Sequence, residues 1–235
     1  MTIQIPPRLR EGLKDRRWRL ENLYYIKDKK GKKIKFKLNW AQKELLDGLH
    51  PLVIIPKARQ LGITTFFCIL FLDHCLFNRN INAAIIADRY VSAKSIFQDK
   101  VKFAYDNLHP LIKIIVPAFR DSANEMRFGS GSIFKVSTSL RSGTCQLLHI
   151  SEFGKICRQF PHKANEIITG ALNTVASGQF IAIESTAEGR AGHFAEMVRV
   201  AQAKQIKGEK LGEMDYKLFF FAWHREISYR IDEAA

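Results

Sequence analysis

The chain has 235 residues, of which 46% are hydrophobic, so it can bury the core of one large domain or two small ones. Lysine and arginine outnumber aspartate and glutamate by 37 to 23, and the net charge of +14 indicates a polyanionic partner, with nucleic acid the leading candidate. The sequence shows no signal peptide, no apolar run of the ~18 residues that a membrane span needs, and no cysteine spacing typical of a zinc site.

A basic arm is predicted at the start of the chain. Residues 11–22 are typical of a surface helix. Residues 23–38 alternate apolar and basic side chains around the sequence DKKG, which predicts a β-hairpin with Gly31 in its turn. Most of the excess positive charge lies here, and we assign residues 1–39 to a basic N-terminal arm and residues 40–235 to a separate domain.

From residue 40 onwards, apolar strands alternate with helices. Helices are predicted over residues 40–49, 64–77, 92–108, 162–175 and 192–204. Strands are predicted over 52–56, 82–88, 145–151, 179–186 and 217–223, with a hairpin over 124–138. This alternation predicts an α/β fold with a largely parallel central sheet flanked by helices. Ligands of such sheets bind beyond the carboxyl ends of the strands.

The stretch KARQLGITT, residues 57–65, follows the strand 52–56 and is a degenerate phosphate-binding loop. The pattern G-x-x-x-x-G-K-[ST] is broken twice, because Lys57 replaces its first glycine and Ile63 replaces its lysine. Gly62 permits the tight turn, and Thr64 has the position whose hydroxyl binds magnesium. We expect Lys57 or Arg59 to supply the missing charge, and a lysine restored at position 63 to be tolerated. An ordinary strand–loop–helix corner is the alternative.

Two further polar clusters follow predicted strands. The strand 145–151 and the residue after it have the form of a Walker B segment, in which Ser151 replaces the magnesium-binding aspartate and Glu152 keeps the position of the base that activates water. Metal binding at Ser151 would then be weakened or pass through water. A glutamate that caps the next element is the alternative for Glu152. The sequence Glu-Ser-Thr at 184–186 ends another strand, so three clusters are expected at one edge of the sheet.

With these clusters in this order, the sequence resembles the N-terminal ATPase domain of phage large terminase subunits, the DNA-packaging motors, from about residue 24 to residue 223. The segment FKLNWAQKELL resembles the one in which a glutamine reads adenine, here Gln42. The segment TSLRSGTCQLLHISEFGK resembles the one that leads into the catalytic glutamate, so Glu152 would be catalytic and Arg141 a finger for the ATP of a neighbouring subunit. ESTAEG resembles the coupling motif, with Ser185 and Thr186.

The loop KARQLGITT resembles the variant terminase loop R-Q-x-G-[KR]-[ST]-T. The resemblance therefore implies that residues 40–235 form a P-loop ATPase domain, with an NTPase fold of the ASCE type (additional strand, catalytic glutamate) that uses ATP and Mg²⁺. Thr64, and Ser151 through water, would hold the metal. The residues implied to bind ATP are Gln42 together with Lys57, Ala58, Arg59, Gln60, Leu61, Gly62, Ile63, Thr64 and Thr65.

The resemblance also implies a function, which is ATP hydrolysis that translocates double-stranded DNA into a procapsid. Its implied partners are double-stranded DNA, the portal protein and the small terminase subunit. The chain would be a monomer in isolation and part of a homo-oligomeric ring when assembled, in the host cytoplasm during phage assembly and not in the mature virion. No acidic cluster follows the last predicted strand, so we expect no nuclease activity from these residues and interpret them as the ATPase part of a longer protein.

Two other functions remain open on the sequence. A helicase-like ATPase would need a second motor lobe, for which 235 residues leave no room beside the arm. A non-enzymatic basic DNA-binding or assembly module with a decayed nucleotide site would explain Ile63, Ser151 and the net charge equally well. It explains less well why Arg141, Glu152 and the 184–186 cluster occur in this order. Nucleotide binding in the presence of magnesium distinguishes this non-enzymatic module from an ATPase.

Overall fold

A computed structural model describes residues 6–140 and 144–229 of the chain. Its first part contains α1 (Pro7–Gly12), α2 (Arg16–Leu23), β1 (Tyr25–Lys27), β2 (Lys33–Lys35), α3 (Trp40–Asp47), β3 (Leu52–Pro56), α4 (Ile63–Phe77) and β4 (Asn82–Ile86). Next come α5 (Tyr90–Ile96), a π-helical turn (Phe97–Lys102), α6 (Phe103–Asp106), α7 (Pro110–Ile115), β5 (Ala118–Asp121), β6 (Glu125–Phe128) and β7 (Ile133–Ser137). The last part contains β8 (Cys145–Ser151), α8 (Phe153–Gln159), α9 (Pro161–Thr169), β9 (Val175–Ser185), α10 (His193–Ile206) and β10 (Lys217–Leu218), with short 3₁₀ turns at Ala171–Thr174, Trp223–Arg225 and Ile227–Tyr229.

Eight strands form the central sheet in the order β10-β3-β9-β8-β4-β7-β6-β5. The pairs from β10 to β7 are parallel, and the two pairs that join β7, β6 and β5 are antiparallel. The predicted α/β fold with a largely parallel sheet flanked by helices is therefore confirmed. One strand, β9, lies between β3 and β8, so the strand before the 57–65 loop and the strand before Glu152 are not direct neighbours.

Helix α4 forms the centre of one core layer. It is apolar on nearly all sides, and eleven of its fifteen residues are buried. The sheet covers one side of the helix, and side chains from the N-terminal arm, including Leu20, Tyr24 and Phe36, belong to the same apolar cluster. A second apolar cluster on the opposite face of the sheet is built from β8, β9, α8, α9 and α10. The loop that precedes α4 is thus attached to a rigid, buried helix.

The basic arm is fastened to α4 by a buried polar cluster. Arg19 donates to both carboxylate oxygens of Asp73, and the Tyr24 hydroxyl donates to Asp73 Oδ1 at 2.8 Å. Burial raises the pKa of Asp73 in spite of these partners. The predicted hairpin is present, with β1 antiparallel to β2 and Gly31 at φ +76° in its turn. The division of the chain at residues 39 and 40 stays a prediction.

Some predicted elements have other boundaries. The helix predicted over 11–22 is two helices, because Asp15 caps the start of α2 by accepting from the Trp18 N–H. The strand predicted over 217–223 pairs regularly only at Lys217–Leu218, and Phe221 then forms a single bridge with Lys57. Helices α7 and α8 and strand β5 were not predicted.

Candidate active site

Three predicted clusters meet at the carboxyl edge of the sheet. Strands β3, β9 and β8 are parallel neighbours, so they end at the same edge. In register, Glu184 of β9 lies opposite Ile55 of β3 on one side and opposite Ser151 of β8 on the other. The strand ends at Pro56, Ser151 and Ser185 are therefore brought together, as the sequence predicted.

The loop of residues 57–62 is held by the backbone of its neighbours. The Lys57 N–H donates to the Ser185 carbonyl at 3.0 Å, and the Ala58 N–H donates to the Phe221 carbonyl at 2.9 Å. Gly62 has φ +71°, a conformation that favours glycine, and the next residue starts α4. Among the described residues no side chain caps this helix, so its first N–H groups are open to an anion.

Helix α3 supports the same loop from the side. Asn39 and Gln42 form a capping box at its start. The Gln42 amide nitrogen donates to the Gly62 carbonyl at 2.9 Å, and the Asn39 amide nitrogen donates to the Leu61 carbonyl at 3.0 Å. Gln42 is buried against the loop, which fixes the position of Gly62. Its assignment as the residue that reads adenine stays a prediction.

Lys57 lies between two carboxylates. Its Nζ is 3.1 Å from Glu152 Oε1 and 3.0 Å from Glu184 Oε2, and only 6% of its side chain is exposed. Burial alone would lower the pKa of Lys57, but the charges of Glu184 and Glu152 outweigh burial and raise it above its ordinary value. The lysine is therefore charged and aimed at the strand ends, where the sequence required a cation.

The other residues of the loop differ in exposure. Arg59 and Gln60 are exposed, whereas Leu61 and Ile63 are buried in the α4 cluster. Since Ile63 is 1% exposed, a lysine at this position would carry its charge into the core. This burial argues against the expectation that a lysine restored at position 63 is tolerated, which stays a prediction.

Glu184 is fully buried beneath the loop, and the sequence analysis placed it in the 184–186 cluster without giving it a role. Its Oε1 accepts hydrogen bonds from Thr64 Oγ1 at 2.9 Å and from Ser151 Oγ at 2.8 Å, and His149 Nε2 lies 3.5 Å from the same oxygen. Burial raises the pKa of this carboxyl, but His149, Lys57 and Ser151 outweigh burial and lower the pKa to about 2. Glu184 is thus an anion that joins the loop to two strand ends.

Glu152 follows β8 in a left-handed backbone conformation, with φ +57°. Such a conformation is costly for a residue with a side chain and often occurs at functional sites. Glu152 Oε2 accepts from Thr186 Oγ1 at 3.2 Å and from the Thr186 N–H at 3.4 Å. With Lys57 on its other oxygen and 30% of its side chain exposed, Glu152 is oriented but still open to solvent.

A polar cavity of about 570 Å³ opens in front of these residues. Loop residues Lys57, Arg59, Gln60 and Thr64 line one side, and Ser151, Glu152 and Thr186 line the strand ends. Two basic residues that the sequence analysis missed, Lys100 and Lys155, complete the wall. Lys100 belongs to the π-helical turn and donates to Thr65 Oγ1 at 2.9 Å, and Lys155 of α8 donates to Asp88 at 2.6 Å. No motif in the sequence marks either lysine.

A second cavity of about 630 Å³ lies along the same loop. Its walls combine residues 57–60 with aromatic side chains of the last described segment, among them Phe221, Trp223 and Tyr229. Trp223 is 65% exposed. A polar cavity and an aromatic cavity therefore share one loop, an arrangement that suits a ligand with a charged part and a planar apolar part.

The structure describes the two predicted coupling residues, Ser185 and Thr186, but not the predicted arginine finger. Thr186 contacts Glu152, as described above. Ser185 is fully buried, and its hydroxyl has no hydrogen-bond partner among residues 6–140 and 144–229. Arg141 lies outside the described residues. The coupling role of Ser185 and Thr186 and the finger role of Arg141 stay predictions.

The oxygen-rich edge does not form a metal centre by itself. Within the part of the chain that the structure describes, no three His, Cys, Asp or Glu side chains are grouped so that they could hold a metal ion. In the same described part, no helix has both the length and the apolar character needed to cross a bilayer.

Three comparisons relate this architecture to known proteins. No family model and no curated protein sequence matches the chain. The ATPase domain of the large terminase of Thermus phage P74-26 is 14% identical, with a TM-score of 0.55 over 80% of this chain and 81% of that domain. The large terminase of bacteriophage HK97 is 15% identical, with a TM-score of 0.61 over 92% of this chain and 43% of that protein.

A third structure is the large terminase of a thermophilic bacteriophage in complex with ATP-γ-S. It is 11% identical, with a TM-score of 0.53 over 83% of this chain and 47% of that protein. The chain spans less than half of each of these two whole large terminases. It has the fold of phage large terminase ATPase domains, and that fold covers most of its length.

Proposed function

We propose that this chain is the ATPase motor domain of a phage large terminase, which hydrolyses ATP to translocate double-stranded DNA into a procapsid. The observation that carries the proposal is the cluster at the carboxyl edge, where Lys57 joins Glu152 and Glu184 beside the open start of α4. The structural neighbours are large terminases, and the one from the thermophilic bacteriophage is in complex with an ATP analogue.

The phosphates of ATP bind at the start of α4. Its free N–H groups and the helix dipole favour negative charge there. Lys57 supplies the cation that Ile63 cannot, and it leaves Glu152 and Glu184 to contact the β- and γ-phosphates. Arg59 and Lys100, on the walls of the same cavity, add positive charge. The adenine lies in the aromatic cavity, where Trp223 provides a face for stacking.

Glu152 acts as the general base. When Lys57 turns to the phosphates, one oxygen of Glu152 is free to accept a proton from the attacking water, while the Thr186 contact keeps the carboxylate in place. Thr186 thereby links the state of the base to the end of β9, and a change there is the start of the coupling to DNA movement.

The donor set fits magnesium that arrives with the nucleotide. Its side chains present only oxygen, from the hydroxyls of Thr64 and Ser151 and from nearby carboxylates, and magnesium prefers oxygen ligands and keeps several waters. Thr64 would bind the ion directly and Ser151 through water. The ion would neutralise charge on the β- and γ-phosphates when bound.

DNA binds the basic surface of the arm. Lysines of the hairpin project to solvent, and the chain as a whole carries +14 charges. The further proposed partners are the portal protein, the small terminase subunit and additional copies of the chain in a ring. Within such a ring, Arg141 would act on the ATP of the neighbouring subunit.

The test is ATP hydrolysis by the full chain, measured as phosphate release with and without double-stranded DNA at rising protein concentration. Glu152→Gln is expected to retain ATP binding and to lose about 10²-fold or more of the rate. Glu125→Gln is the matched control, since this partly buried carboxylate on β6 pairs with Arg127 far along the sheet.

Translocation is read separately, as ATP-dependent displacement of a third strand from a DNA triplex. A chain that binds DNA but neither binds nor hydrolyses ATP at any concentration would instead be a non-enzymatic DNA-binding module. Hydrolysis without triplex displacement by an assembled ring would exclude the motor function and leave the ATPase.

A further inference from the structure

The candidate site lacks a carboxylate at the end of β8, because Ser151 occupies the position where an aspartate is expected. A carboxylate is nevertheless present at the same level of the sheet. Strand β9 pairs in parallel with β8, and Glu184 lies directly opposite Ser151. Since β9 also pairs with β3, Glu184 stands between the strand that leads to the loop and the strand that leads to Glu152.

The contacts of Glu184 are those that such a carboxylate would make. Its Oε1 accepts the proton of the Thr64 hydroxyl at 2.9 Å and that of the Ser151 hydroxyl at 2.8 Å. The two hydroxyl oxygens are 3.5 Å apart, and both residues line the polar cavity. Glu184 itself lies beneath them with no exposed surface.

These hydrogen bonds determine which further partners the two hydroxyls can bind. A hydroxyl has one proton and two lone pairs. When both protons are donated inwards to Glu184, only lone pairs remain for a partner in the cavity. The two side chains then present acceptor oxygens, which suit a cation and not a second donor.

We propose that Glu184 replaces the missing strand-end aspartate from the neighbouring strand, by orienting the Thr64 and Ser151 oxygens towards the magnesium ion of bound ATP. The short side chain of Ser151 lies directly opposite the longer side chain of Glu184 in the strand pair. Glu184 is a positioning residue, because it acts through the two hydroxyls. The inference rests on the proposed ATP site.

The test separates metal affinity from nucleotide affinity. A fluorescent ATP analogue is titrated into the full chain without metal, and Mn²⁺, as a spectroscopic substitute for magnesium, is then titrated into the complex and followed by electron paramagnetic resonance. Glu184→Gln is expected to weaken Mn²⁺ binding by about 10–100-fold, the effect typical of groups that orient metal ligands. Metal-free nucleotide binding should persist, since Lys57 stays available for the phosphates. Glu125→Gln is expected to leave both affinities unchanged.

A rescue variant tests the role of Glu184 even if Glu184→Gln folds poorly. Ser151→Asp/Glu184→Ser returns the carboxylate to β8 and should recover most of the Mn²⁺ affinity. Unchanged Mn²⁺ affinity in Glu184→Gln would overturn the role of Glu184. So would a double variant that binds the nucleotide but whose Mn²⁺ affinity stays about 10–100-fold below that of the unmodified chain. Failure of the unmodified chain to bind the nucleotide at all would overturn the proposed function.

Discussion

Replacing Lys57 with methionine keeps most of its side-chain volume and removes the charge between Glu152 and Glu184. Glu184 then remains as a fully buried carboxylate that has lost its lysine, with His149 Nε2 3.5 Å away. Removal of one partner from a buried ion pair costs about 3–5 kcal/mol. Because the hydroxyls of Thr64 and Ser151 still donate to Glu184, we expect the lower end, about 3 kcal/mol. In a domain of this size, that corresponds to a fall in Tm of about 6–12 °C.

The loss of stability in Lys57→Met depends on pH, and the structure determines the direction of that dependence. In the unmodified chain the pKa of Glu184 is lowered to about 2, so the ionised carboxylate stabilises the fold above the unfolded-state pKa of about 4.3. This contribution is lost only as the pH falls through about 2. Without Lys57 the folded-state pKa rises. Protonation then relieves the buried charge, and the difference in Tm between the two chains should shrink in acid.

Thermal unfolding followed by circular dichroism between pH 4 and pH 8 measures the effect. Lys57→Met/Glu184→Gln removes both charges and should recover most of the lost stability. Lys14→Met is the matched surface control, because its pair with Glu11 is exposed on both sides and should contribute little. A Tm for Lys57→Met within about 2 °C of the unmodified chain, unaffected by the second substitution, would refute the buried ion pair.

Four exposed lysines of the hairpin can be neutralised together, namely Lys29, Lys30, Lys32 and Lys33. This change should weaken double-stranded DNA binding and flatten the slope of log K against log salt concentration by roughly 3–4 units. An unchanged slope would assign the DNA contact to another surface. Trp223→Ala should raise the Kd for ATP by roughly 5- to 150-fold, as the loss of about 1–3 kcal/mol of stacking would, and an unchanged Kd would place the adenine elsewhere. Mixing Arg141→Ala chains with Glu152→Gln chains should restore part of the ATPase rate under assembling conditions, since each supplies what the other lacks; no restoration in proven mixed oligomers would contradict a shared site.

The sheet and the meeting of three strand ends could be predicted because both follow from local patterns. Alternating apolar strands and helices imply parallel strands, and parallel strands end at one edge. Lys57 and Glu152 could be singled out for the same reason, since each directly follows a strand. The roles assigned to them from the sequence stay predictions.

The contacts of Glu184 could not be predicted from the sequence. They depend on the register of β9 against β8, and its partners Ser151 and Thr64 lie 33 and 120 residues away along the chain. Lys100 was missed for another reason. No motif marks it, and its contact with Thr65 joins residues that lie 35 positions apart along the chain. Ile63 was judged by charge alone, whereas its burial decides which residue can stand there.

The π-helical turn also gives two adjacent residues different attachments. Asp99 Oδ1 accepts from Lys27 of the hairpin at 2.8 Å, and Lys100 donates to Thr65 in the first turn of α4 at 2.9 Å. The basic hairpin and the start of the helix after the loop are therefore joined through a single peptide unit. The basic hairpin and the wall of the polar cavity are thus anchored at adjacent positions of one helical turn.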